Sequence, residues 1–98
     1  MRAAAGLAGG LLAALALAGC VAPPEGVDES AVARFDDAVR SMGCELVTEP
    51  HFLATELQTG LTRQQVVGMV QYQVALDQAT RLEGGGHRFT TGGCGDAA

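Results

Sequence analysis

Leu61-Thr62-Arg63-Gln64-Gln65-Val66 is the stretch from which the fold of the chain can be read. Thr62 is placed to accept a hydrogen bond at a helix N-terminus, and Gln65, three residues on, can reach back to the Thr62 N–H. Leu61 and Val66 stand where a hydrophobic staple puts its two members. A helix therefore begins at Arg63. Val66, Val70 and Val74 lie along one line of it, Val67, Met69 and Leu76 widen that line, and the pattern runs to about Gln78. Gly60, just ahead of the cap, ends a preceding helix, so two helices meet in a tight turn.

Working back from that turn, Thr48 and Pro50 signal the start of the preceding helix, because proline is tolerated where its missing N–H is not needed. Phe52, Leu53 and Leu57 are expected on its apolar face. Glu45 to Thr48, with Leu46 and Val47, reads as a brief strand. Before it, Val32, Phe35, Val39 and Met42 recur at spacings of three and four behind Asp28 or Ser30 as N-cap, which marks a first helix stopped by Gly43. Arg34, Asp36, Asp37 and Arg40 fall mainly off its apolar face. Beyond the third helix the period changes to two. Thr80 and Leu82, then Gly84-Gly85-Gly86, then Phe89 and Thr91 describe a β-hairpin with Leu82 and Phe89 turned inward. The expected fold is α+β: a small three-helix domain over 28–94 with a C-terminal β-hairpin and one disulfide, followed by a flexible tail at 95–98.

From Glu45 to Thr91 this order of elements, with the Gly60-Leu61-Thr62 turn, resembles a winged helix. The resemblance implies a recognition helix at Arg63 to Gln78 and a wing at the hairpin. DNA reading does not follow from it, because base contacts need a surround of Lys and Arg on the phosphates. The face of the third helix offers Gln64, Gln71, Gln73 and Gln78, with Arg63 as its one positive charge.

The N-terminus places the domain. Met1 and Arg2 precede an apolar run from Ala3 to Ala18, which ends in Leu17-Ala18-Gly19-Cys20. That ending resembles the lipobox of bacterial lipoproteins, which implies a signal peptide at 1–19 and acylation of Cys20 as the first mature residue. Two alternatives stay open: an ordinary secretory signal cut after Ala18, which leaves Cys20 unexplained, and a retained membrane helix, for which the span is a little short. In lipoproteins of the enteric type an Asp after the Cys favours the inner membrane. Val21 stands there and leans toward the outer one. Residues 20–27, with Pro23-Pro24, read as a lipidated tether.

Charge and cysteine count agree with export. There is no Lys, and without Arg2 five Arg face eleven Asp and Glu, a net charge of minus six. Such a surface repels nucleic acid, so no nucleic-acid partner is expected. Three Cys in an oxidising compartment leave one unpaired. Acylation of Cys20 removes the odd one and leaves Cys44 and Cys94 as a disulfide pair. An alternative uses Cys44, His51, His87 and Cys94 as a metal site, although ligands six residues apart lack the close spacing of zinc motifs.

A thiol–disulfide exchange role is disfavoured, since Cys44 follows a helix C-terminus, where the dipole opposes a thiolate. The sequence contains no Gly-x-Ser-x-Gly elbow, phosphate loop or His-Glu-x-x-His pattern. The expected function is non-catalytic and cofactor-free: an envelope lipoprotein, held to a membrane through Cys20 and facing the periplasm. It would serve as a protein-interaction module or accessory subunit of a membrane-associated complex, with Arg63, Gln64, Gln71, Gln73 and Gln78 as contact residues. The alternative function is a periplasmic metal or small-ligand binding protein.

Overall fold

Caps set the three helices. The computed structural model of the chain describes residues 21–97, so the expected signal peptide at 1–19 and the expected acylation site Cys20 lie outside the described residues. Helix α1 is Glu29–Ser41, and the Asp28 carboxylate accepts from the Ala31 N–H at 2.9 Å, which holds its pKa below the ordinary aspartate value. Its C-terminus turns through Gly43 and Cys44, both at positive φ, with the Cys44 N–H returning to the Val39 carbonyl at 2.9 Å. Helix α2 is Glu49–Thr59 and α3 is Arg63–Ala75. Both begin with a reciprocal capping box. In α3, Thr62 accepts from the Gln65 N–H at 3.1 Å while the Gln65 side chain accepts from the Thr62 N–H at 3.0 Å. That helix stops short of Gln78. Leu76 caps it and Asp77 takes a positive φ, so Gln78 belongs to the connection that follows.

The strands are β1 (Glu45–Leu46), β2 (Ala79–Arg81) and β3 (His87–Phe89), in the spatial order β1-β3-β2 with both pairings antiparallel. The brief strand after α1 and the hairpin thus make one three-stranded sheet. Glu45 is paired with Arg88 in register, and their side chains form an ion pair at 2.9 Å. Ala79 faces Phe89 across the hairpin, and these two are the buried residues of their strands. Leu82, expected inward, is only half-buried beyond the end of β2, because the strand ends at Arg81. Gly86 cannot be another residue without movement: a Cβ there would lie 2.7 Å from the Leu46 carbonyl oxygen.

Phe35, Leu46, Val66, Met69 and Phe89 form the centre of the core, with Phe35 and Phe89 edge to face at 5.6 Å between ring centroids. Helix α2 corrects the sequence reading. Its buried residues are Thr55 and Thr59, Phe52 is half-buried, and Leu53 and Leu57 point to solvent, Leu57 being 86% exposed. Thr55 donates to the His51 carbonyl at 2.9 Å and Thr59 to the Thr55 carbonyl at 2.6 Å. Each hydroxyl is thereby satisfied within its own helix, and burying it carries no orphaned donor.

Cys44 and Cys94 form a disulfide, tying the turn after α1 to a 3₁₀ segment, Gly92–Ala97, that follows the sheet. The link spans 50 residues. In a domain this small the resulting restriction of the unfolded chain is on the order of 4 kcal/mol. Reduction, or replacement of both residues by Ala, should lower the urea midpoint and steepen the slope, because the opened unfolded chain exposes more surface. A midpoint that does not move would show that packing alone holds the domain.

Candidate functional site

Helix α3 carries four of the five expected contact residues, and the structure separates them. Gln64 and Gln71 are exposed on its outer face. Arg63 is committed to the fold instead. Its guanidinium donates twice to Glu49, at 2.9 and 2.6 Å, and through Nε to Glu56 at 2.6 Å, and it lies over the Phe52 ring at 5.0 Å. The hydrogen bonds from Arg63 hold the Glu49 carboxyl below the usual range, while Glu49 and Glu56 raise the Arg63 pKa further. Arg63 therefore clamps the start of α2 to the start of α3. Gln78 is exposed, but its carbonyl accepts the Thr90 N–H at 2.9 Å and so anchors the strand that returns from the hairpin.

Gln73 corrects the expected glutamine face most sharply. It is 1% exposed, and its Nε2 donates to Asp36 of α1 at 3.2 Å. The Thr91 hydroxyl donates to the same Asp36 oxygen at 3.0 Å. Asp36, read from the sequence as lying mainly off the apolar face, is thus the acceptor at which α1, α3 and the end of the sheet meet. Burial pushes its carboxyl pKa above the ordinary value, against the two hydrogen bonds. Gln73 Oε1 is buried without a hydrogen-bond partner among the described residues. The spacing Val66, Met69, Val70, Gln73 already marks Gln73 as part of the inward face, a signal masked by its polar type.

The outer side of the domain carries an open groove of about 380 Å³ between α2, α3 and the hairpin, lined by Phe52, Val67, Val70, Gln71, Val74, Arg81 and His87. Val67 and Val74 are each 41% exposed. The apolar floor and the Gln71, Arg81 and His87 polar groups suit contact with a partly apolar chain. The four-residue metal alternative loses its thiolates to the Cys44–Cys94 bond. His51 Nδ1 accepts the Val47 N–H at 3.0 Å and the Thr48 N–H at 3.3 Å, completing the α2 capping box, a role its sequence position did not disclose. Among the described residues no three His, Cys, Asp or Glu are grouped to hold a metal.

On the far side of the exposed α3 ridge, the segment expected to be a tether is docked. Val27 is 8% exposed and joins the core, the Gln65 amide donates to the Glu25 carbonyl at 3.2 Å, and Pro24 sits on Gly68. A Cβ at Gly68 would lie 2.7 Å from Pro24 Cγ. A surface depression there is lined by Val21, Ala22, Pro24, Gly68, Gln71, Tyr72 and Ala75. Comparison of the chain with family models, curated proteins and solved structures finds no match in any of the three.

The half-buried Asp36 makes a pH-dependent prediction. Because its folded pKa is raised, the carboxylate lowers stability above that pKa, and the penalty is relieved as pH falls through it toward the unfolded value. Asp36→Asn keeps an acceptor for Gln73 and Thr91 without the charge. It should match or exceed the parent in denaturant stability at neutral pH, and the margin should vanish near pH 4, about the unfolded aspartate value. Asp36→Ala leaves two donors without their acceptor and should cost about 1–3 kcal/mol. Equal losses in the two variants would contradict this account.

Proposed function

We propose that the protein is a non-catalytic lipoprotein of the bacterial envelope, built on a winged-helix-like domain and serving as a protein-interaction module or accessory subunit at a membrane. The observation that carries the proposal is the Cys44–Cys94 bond. With those two joined, Cys20 is the one cysteine left over, and it stands at the end of Leu17-Ala18-Gly19-Cys20 behind an apolar segment. A disulfide also belongs to an oxidising compartment. Among the described residues no helix is long and apolar enough to cross a membrane; the attachment the proposal names is acylation at Cys20.

The winged-helix reading rests on the element order and on β1 pairing with β3, so that α2 and α3 are enclosed between the first strand and the hairpin. In place of a basic reading head the domain offers the groove of Phe52, Val67, Val70 and Val74, rimmed by Gln71, Arg81 and His87. With Arg63 and Gln73 committed to internal contacts, this groove replaces the glutamine strip as the proposed contact surface.

Two measurements test the proposal. The full chain extracted from its membrane should have an intact mass that starts at Cys20 and includes acyl chains, with two alkylatable thiols appearing only after reduction. A photoreactive residue in place of Val74 should then give a discrete protein cross-link in the intact envelope, and Val67→Glu should abolish it without changing the unfolding midpoint. An unacylated mature chain refutes the membrane assignment, and a groove that yields no cross-linked protein refutes the interaction role.

A further inference from the structure

The docked N-terminal segment determines which way the domain faces. Val21, 43% exposed, lines the depression beside Gln71, Tyr72 and Ala75 on α3. Three further contacts keep the segment in place: Pro24 on Gly68, the Gln65 amide on the Glu25 carbonyl, and Val27 in the core. The described chain therefore begins held against the C-terminal half of α3 rather than on a free spacer.

Resting on the lipoprotein reading, we infer that the part of the outer α3 ridge left open by the docked segment, Gln64, Gln71 and Ala75 together with Val21, lies against the lipid headgroup layer, with α1 on the side facing away. The chemistry of the ridge fits an anionic lipid surface. Helix α3 has no Asp or Glu in its thirteen residues, whereas α1 carries Glu29, Asp36 and Asp37 and α2 carries Glu49 and Glu56. A negatively charged leaflet repels the acidic helices and accepts the neutral one. Glu25 shares a depression with Gln64 at one end of the ridge, and Asp77 follows the last turn at the other. The orientation of α1 follows from the Gln73–Asp36 bond, which puts α1 on the inward side of α3, opposite the ridge.

The test uses the full acylated chain in vesicles of phosphatidylethanolamine and phosphatidylglycerol. Ala75→Cys on the ridge and Ala33→Cys on the exposed side of α1 are labelled in separate variants with a polarity-sensitive fluorophore, without reductant so that the disulfide stays closed. Nitroxide carried on lipid headgroups should quench the label at residue 75 severalfold more than the label at residue 33. Inserting about a dozen Gly and Ser residues between Ala22 and Pro23 should remove that difference, because the domain is then released from the anchor. Equal quenching at the two positions in an acylated, vesicle-bound protein overturns the orientation and leaves the lipoprotein reading standing. A difference that survives the insertion overturns the docked segment as its cause. A chain with no acyl mass at Cys20 that stays in solution overturns both.

Discussion

The covalent link between Cys44 and Cys94 is the constraint on which the arrangement of the other parts depends. Cys44 lies at positive φ where the chain leaves α1 for β1, and Cys94 lies where it has left β3. Both half-cystines are buried against the same core as Phe35, Leu46 and Phe89. Since β1 is two residues long and β3 three, ladder hydrogen bonds alone give that corner little strength. The bond holds the two ends of the sheet region at the end of α1, and the paired strands and the Glu45–Arg88 contact then set their register.

Around that corner the domain uses polar groups where a larger protein would use more apolar ones. Asp36 gathers Gln73 and Thr91, Arg63 gathers Glu49 and Glu56, and two buried threonines close onto their own helix. The two clusters also fix direction, because Asp36 finds both partners only when three segments meet and Arg63 only when α2 meets α3. The Arg63 cluster sets how α2 meets α3, and the Asp36 cluster sets how α1 meets both α3 and the chain after the sheet. The groove between α2, α3 and the hairpin is the outward result of these settings.

What could be read from the sequence was local. The caps at Asp28, Thr48 and Thr62 involve residues within three positions of one another, and the inward line of α1 through Phe35 and Val39 repeats at helical spacing. Pairing Cys44 with Cys94 needed only counting. Where residue type and residue position disagreed, type misled. Leu53 and Leu57 are apolar yet lie outside, while Thr55, Thr59 and Gln73 are polar yet lie inside, because burial depends on which side of the helix has neighbours. The docking of Pro24 to Val27 had one sequence trace: Gly68, in the middle of a helix, where glycine is unfavourable unless something approaches closely. The groove had none, since it joins residues from three elements whose packing is not a local property.

The order of the half-cystines along the chain bears on how the domain matures. Cys94 follows every helix and strand, so in a chain that crosses a membrane N-terminus first Cys44 arrives without its partner and waits until the last strand has passed. An oxidant acting early finds only Cys20 as a second thiol, and acylation would withdraw that one. On the proposed export, closure of the bond comes after the helices and strands before it have had the chance to find one another.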